Sequence, residues 1–409
     1  MRLLRFCFVT TFYPPWTFGG DGITIQRLAR ALVGRGHHVT VIHDVDAWEV
    51  LAPSGARPES QEADDGVEVV SLRSGVGPLS CLLTQQTGRP IVHGGRIRSV
   101  VERGGFDVLH FHNVSLVGGP GVLSIGRGMV KIYTAHEHWL VCPMHVLWRH
   151  GREPCTGKQC LRCTLVHRRP PQLYRYTGFL ERQLDEVDVF VALSEFSRRK
   201  HREFGFPREM AVLPPLLSGG EEDEPADPEP PHPRPYVLFA GRLERMKGLD
   251  DVIPVFRDAP DLDLLVAGRG EHGEVLRRLA GEARGVRFLG WISPASLRNH
   301  IRHALAVLAP TVGFETFGLT LIEAFREGRP VIARRQGPYP EMVEQSGGGL
   351  LFDGPEDLKT ALATLAGDPD LADAMGASGR QAFQRLWSEE AVLPRYLELV
   401  HRELERKEV

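Results

Sequence analysis

Short runs rich in Val, Ile, Leu and Phe recur along this chain, spaced so that a helix fits between each pair. In the first half they fall at residues 5–10, 39–43, 67–72, 108–112, 131–134 and 189–193. In the second half they fall at 236–240, 262–267, 286–289, 304–309, 331–333 and 350–352. Continuous apolar runs of this length predict strands covered on both faces. The helical intervals predict parallel sheets joined by crossover helices. Between the halves, residues 218–235 are dominated by Pro, Asp and Glu and carry no apolar period, which predicts an extended, solvated linker. The pattern therefore divides the chain into two doubly wound domains, 1–217 and 236–387. In such a pair, ligands sit in the crevice at the C-terminal ends of the strands. From 389 to 405 apolar and charged positions alternate as in an amphipathic helix, and 388–409 is expected to pack back on the first domain.

Composition adds mainly exclusions. The 409 residues are too many for one ordinary core. An apolar fraction of 42% and a charged fraction of 25% belong to a globular protein. A net charge of −3 gives no global reason to expect nucleic acid. No apolar run approaches the length that spans a bilayer. The N-terminal segment is interrupted by Arg5 and lacks a small-residue cleavage site, so it reads as a first strand rather than a signal peptide. A cytoplasmic location is expected, at most peripheral to the inner membrane face, and disulfides are not.

The chemistry concentrates in two loops of the second half. Gly241-Arg-Leu-Glu-Arg-Met-Lys-Gly248 follows one strand, placing Arg242 and Lys247 before a helix start. Two fixed cations beside a helix N-terminus suit a diphosphate. They also stabilise charge that grows on a departing phosphate. The plain alternative is a pair of surface cations. Gly313-Phe-Glu-Thr-Phe-Gly-Leu-Thr-Leu-Ile-Glu323 follows another strand and carries Glu315 and Glu323 on either side of a loop-to-helix transition. The alternative there is a capping acid and a solvated helix position. Glu323, however, stands among Leu319, Leu321, Ile322 and Phe325, where an acid is usually paired or functional.

Those residues bring out a resemblance. Together with Val266-Ala-Gly-Arg-Gly270, Phe288-Leu-Gly290, Gly328-Arg-Pro-Val-Ile, Phe12-Tyr-Pro-Pro15 with Gly19-Gly20, Asp107 to His112, Tyr133-Thr-Ala-His-Glu137 and Asp188 to Ser197, they resemble the retaining glycosyltransferases of family 4 over nearly the whole chain. The resemblance implies the GT-B fold, with an acceptor-binding N-terminal and a donor-binding C-terminal Rossmann-like domain. It implies a hexosyltransferase that moves a sugar from a UDP- or GDP-sugar to a hydroxyl of a small molecule, glycan or lipid-linked acceptor, without nucleic acid. Arg242 and Lys247 would hold the diphosphate, Glu323 the ribose and Glu315 the transferred sugar. The backbone of Phe317, Gly318 and Leu319 would line sugar and phosphate. Gly20 would let the backbone approach the distal phosphate, and His136 would lie near the anomeric carbon. Gly268 would belong to the donor site, and the loop Gly290–Ile292, with Trp291, would lie near the base. The implied mechanism is retention without a metal or other cofactor, the acceptor proton passing to the leaving phosphate. Rival readings are a nucleotide-sugar epimerase or a non-catalytic nucleotide-sugar-binding protein of the same fold. The chain departs from the family at Leu213-Pro-Pro215 and at Gly337-Pro-Tyr-Pro-Glu341, the second in a loop expected to face the donor.

Three features fall outside that scheme. Gly268-Arg-Gly-Glu-His-Gly273 has dinucleotide-fingerprint spacing, but the next strand run lacks the terminal acid, so it reads as a glycine turn. Cys142, Cys155, Cys160 and Cys163, separated by 12, 4 and 2 residues, point to a structural zinc site, with free thiols or one disulfide as the alternative. From Arg149 to Arg208, 13 Lys and Arg face 7 Asp and Glu. Such an excess suits an anionic acceptor or lipid surface, and equally a solvated helix face.

Overall fold

The fold was read from a computed structural model, which describes residues 2–52, 58, 66–218, 229–257 and 261–408. Residues 219–228 of the expected linker lie outside that range. Its last turn, before Tyr236, is not solvated throughout: His232 is buried, and its Nε2 lies 2.7 Å from the Asp263 carboxylate.

All twelve apolar runs are strands. The first sheet contains β1 (Arg5–Val9), β2 (His38–Asp44), β3 (Val67–Leu72), β4 (Val108–Phe111) and β5 (Val130–Ala135). A two-residue hairpin follows, β6 (Trp148–Arg149) with β7 (Glu153–Pro154). The sheet is completed by β8 (Val189–Ala192) and by β9 (Met210–Val212), whose three residues form no clear run in the sequence. The spatial order is β3-β2-β1-β4-β5-β8-β9, parallel throughout. The second sheet contains β10 (Tyr236–Ala240), β11 (Asp263–Ala267), β12 (Val286–Gly290), β13 (Ala306–Ala309), β14 (Val331–Arg334) and β15 (Gly349–Phe352), in the order β12-β11-β10-β13-β14-β15. Each order reverses beside its first strand, at β1/β4 and at β10/β13. That reversal opens a crevice at the C-terminal strand ends.

Burial follows the pattern that predicted it. Phe6, Cys7, Phe8 and Val9 are all fully buried, with alternate residues feeding clusters on opposite faces of the first sheet. Val237 and Leu238 divide likewise in the second. The C-terminal helix Glu389–Glu408 does return to the first sheet. Its Val392, Leu393, Tyr396, Leu397 and Val400 join the cluster of Phe6, Phe8 and Ile132.

Candidate active site

The crevice between the sheets is built from loops that leave strand ends. On the C-terminal side, β10 runs into Gly241–Gly248. Gly268, after β11, abuts that loop so closely that a Cβ would lie 1.9 Å from the Gly241 carbonyl oxygen; with φ at +134° the position requires glycine. From the same loop the Lys247 ammonium reaches the Glu315 carboxylate at 2.5 Å. Arg242 is largely exposed and turns to Glu244 at 2.9 Å. Glu315 is therefore an ion-pair partner, not a helix cap. The following helix, Leu319–Arg326, starts with Gly318 at its N-cap and no side-chain cap, which leaves its first N–H groups available to an anion.

Several of these residues meet groups from the N-terminal side. The helix Gly20–Gly34 begins opposite Leu319: a Cβ on Gly20 would lie 2.5 Å from the Leu319 Cδ1. Further along it, Arg27 stands 3.9 Å from Glu323, both largely screened from solvent. Thr316 Oγ1 donates to the His136 carbonyl at 2.7 Å, and Ser194 Oγ donates to the Thr316 carbonyl at 2.7 Å. His138 Nε2 lies 3.1 Å from the Phe314 carbonyl. Glu341 accepts from the backbone N–H groups of Glu195 and Phe196, at the first turn of Glu195–Glu203. The expected loop at Gly337–Glu341 is shorter than its sequence suggested: Gly337 approaches the Glu315 backbone, and the helix Tyr339–Ser346, which carries Glu341, begins two residues later. Lys247, Glu315, Phe317, Gly318, Leu319, Glu323, Gly20 and His136 are thus brought to one cleft. Trp291 is exposed beyond the end of β12 and makes no such contact.

His136 ends a histidine chain that the sequence did not single out. Its Nε2 lies 2.9 Å from His112 Nδ1. The His110 ring packs on that of His112 at 3.9 Å and bonds Tyr396 and Thr134. Burial, the largest cause, drives the pKa of His136 down to about 4 and those of His110 and His112 well below the usual histidine value. The chain is therefore neutral at pH 7, and only Asp21 pulls His136 the other way. A neutral imidazole can accept a hydrogen bond or share a proton without a fixed charge of its own. The three histidines also line a mainly apolar pocket, with Val191, Leu193, Leu213, Pro214, Val392 and Tyr396. Arg27, Thr316, His112 and His138 also escaped sequence reasoning. The family segment ending at His112 was the available signal for one of them.

Two further clusters bear on metal binding. Asp44, Asp46 and His93 place ligand atoms within 4.8 Å of one another at the end of β2. Much of this acidity is engaged internally: Asp46 accepts from the Ser74 backbone and hydroxyl, and Asp44 accepts from Ala47 N–H at the helix start. The four expected cysteines, Cys142, Cys155, Cys160 and Cys163, line a separate small cavity and form no disulfide.

Comparison with known proteins decides the lineage. The family model described as Glycosyltransferase Family 4 matches residues 18–217, and that described as Glycosyl transferases group 1 matches 220–382. The chain belongs to glycosyltransferase family 4. It is a hexosyltransferase that moves sugar from a nucleotide sugar. It is similar to the phosphatidyl-myo-inositol mannosyltransferase of Mycobacterium leprae, 25% identical over 386 residues that cover 91% of this chain and 92% of the relative. It is also similar to a GDP-mannose-dependent alpha-(1-6)-phosphatidylinositol monomannoside mannosyltransferase of Mycobacterium tuberculosis, 32% identical over 237 residues, 51% of this chain and 60% of the relative. Among solved structures, a sucrose-phosphate synthase from Thermosynechococcus elongatus superposes with a TM-score of 0.73 at 20% identity, over 98% of this chain and 99% of that one. A glycosyltransferase from Rickettsia africae gives 0.67 at 15%, over 99% of each. These likenesses identify the two-sheet architecture as GT-B.

Proposed function

We propose that this glycosyltransferase retains anomeric configuration and transfers a hexose from GDP-mannose or a closely related nucleotide sugar to a hydroxyl of a lipid-linked polyol. The observation that carries the reading is the convergence at one cleft of Lys247, Glu315, the uncapped start of Leu319–Arg326, Glu323 and His136. In this reading the donor lies on the C-terminal domain (236–387). Its diphosphate meets Lys247, Arg242 swung from Glu244, and the N–H groups of Phe317, Gly318 and Leu319. Gly20 and Gly268 leave room for backbone approach. Glu323 takes the ribose hydroxyls, Trp291 flanks the base and Glu315 holds the sugar. Charge on the departing diphosphate is carried by Arg242 and Lys247. The acceptor, bound by domain 1–217, approaches on the leaving-group face and passes its proton to the diphosphate. Neutral His136 orients the reacting hydroxyl or sugar.

The acceptor class rests on the surface as well as on the relatives' names. Val76 just before the helix Gly77–Thr87, Leu79 and Leu82 on it, Ile91, and Leu161, Leu165 and Val166 on the helix Cys160–Val166 are exposed, as are Leu173 and Tyr176. Gln85 and Gln86 donate to the carbonyls of Pro170 and Pro171, which ties the two segments together. Arg152, Lys158, Arg162, Arg168 and Arg169 flank them in sequence and are exposed as well, and a surface that combines apolar and cationic groups suits an anionic bilayer. No helix among the described residues is long and apolar enough to cross a membrane.

A thermal-shift screen of GDP-mannose, UDP-glucose, GDP and UDP tests the donor, since a ligand that binds the folded state raises the melting temperature. GDP-mannose should raise it most. No shift with any diphosphate nucleotide would overturn the donor site itself.

A further inference from the structure

Residues 149–171 form a fold with almost no interior. Thr164 alone is buried along that stretch. Its hairpin β6–β7 has two residues per strand, and its helix Cys160–Val166 has seven, three of them exposed Leu or Val. Ordering a residue costs about 1–2 kcal/mol in backbone entropy, and this stretch buries little apolar surface to offset it. It is also strained. The described non-glycine residues with positive φ, namely His145, Leu147, His150 and Arg168, all lie in or beside it. Such conformations persist only where the surroundings over-determine them.

The feature shared by this segment is sulfur. Cys142, Cys155, Cys160 and Cys163 line one cavity with Pro143, Met144, Leu147 and Trp148. Cys163 Sγ accepts the His150 backbone N–H at 3.4 Å, from a residue held at φ +53°. Backbone donors aimed at sulfur are what a thiolate needs. We propose that this segment is a zinc knuckle in which the four cysteines hold one Zn²⁺ as thiolates. Each thiol gives up its proton to solvent on binding, and the ion carries a formal −2 with its ligands. Arg149, Lys158 and Arg175, beside the cavity, offset that charge. No three of the sulfurs lie within 4.8 Å of one another among the described residues, so binding draws in side chains that already share the cavity.

The knuckle also has a position that matters. Cys142 N–H donates to the His138 carbonyl, and His138 N–H to the His145 carbonyl. Cys142 and Leu147 pack with Phe314, from the loop that carries Glu315. The metal thus steadies the loop bearing His136 against the opposite domain, as a positioning element rather than a reacting one.

The test uses the full chain, purified under reducing conditions without chelator. Elemental analysis should find about one zinc per chain. Cobalt exchanged for it should give tetrahedral d–d bands and sulfur-to-cobalt charge transfer. C160S/C163S should lose the metal and the charge-transfer band, and melt at a lower temperature, while the melting shift induced by GDP is kept. A folded wild-type protein with neither zinc nor cobalt charge transfer would overturn the proposal. So would one ion retained by the double variant, which would instead place it at Asp44, Asp46 and His93. Loss of the GDP shift in wild type bears on the donor site alone.

Discussion

Acid should unfold this protein well before its ordinary carboxylates titrate. His43, His110, His112, His138 and His201 are buried in the N-terminal half. Burial lowers His43 and His201 to about 4, and His110, His112 and His138 well below the usual value. A histidine depressed in the folded state but near 6.5 when unfolded leaves stability unchanged above pH 6.5. It removes stability as the pH falls toward the folded value, because only the unfolded chain takes the proton. At pH 5 a free imidazole gains about 2 kcal/mol from protonation, and a folded pKa of about 4, as at His43 and His201, forfeits nearly all of it; the three held well below the usual value forfeit a comparable amount. Five histidines cost on the order of 10 kcal/mol. Asp44 opposes them: burial raises it to about 7, so the folded state binds its proton first and recovers about 2 kcal/mol over the same interval. His37, His136 and His167 act with the five, and Glu341, also raised by burial, acts against them. The net, on the order of 8 kcal/mol, matches the whole stability of a typical domain. Scanning calorimetry at pH 7, 6 and 5 should show the N-terminal domain melting progressively earlier, with uptake of about four protons on unfolding near pH 5.5. Equal melting temperatures at pH 7 and 5, or uptake of fewer than one proton, would refute the assignment of these histidines as buried and neutral.

Lys247→Ala should lower kcat about a hundredfold or more with the fold intact, as removal of one charge-stabilising donor does; steady-state kinetics with circular dichroism checks both halves. His136→Ala should reduce kcat while calorimetric affinity for GDP stays within about twofold; affinity lost in step with rate would make His136 a donor-binding residue instead. Gly268→Ala should destabilise the C-terminal domain by about 2 kcal/mol in denaturant titration, because its Cβ meets the Gly241 carbonyl and its φ is left-handed. The protein should sediment with vesicles containing anionic lipid and not with neutral ones, and L161E/L165E should abolish that sedimentation without changing donor-induced stabilisation.

What the sequence reveals and what it hides divide along a physical line. A strand buried on both faces must be apolar over its length, so β1 or β10 announces itself locally. The strand β9 does not, because three residues ahead of Leu213-Pro-Pro215 carry too little pattern. The glycines and charges after β10 and β13 are equally local: strand, loop and helix start form one short unit, and Lys247, Glu315 and Gly318 could be placed within it. The cleft itself is not local. Thr316 meets the His136 carbonyl across 180 residues of chain, and His138 meets that of Phe314 across 176. Arg27 finds Glu323 only because two independent sheets face each other. No periodicity along the chain encodes such pairs, since each partner satisfies its own helix or loop without the other. The Glu341 segment makes the same point in reverse. From its position after β14 the segment is expected to face the donor, yet the Glu341 carboxylate reaches over to cap a helix of the other domain. That carboxylate is raised by burial and held by two backbone N–H groups. Opening the cleft would break both bonds and rehydrate the acid, so a segment that reads from its own half as facing a ligand is also a tie between the halves.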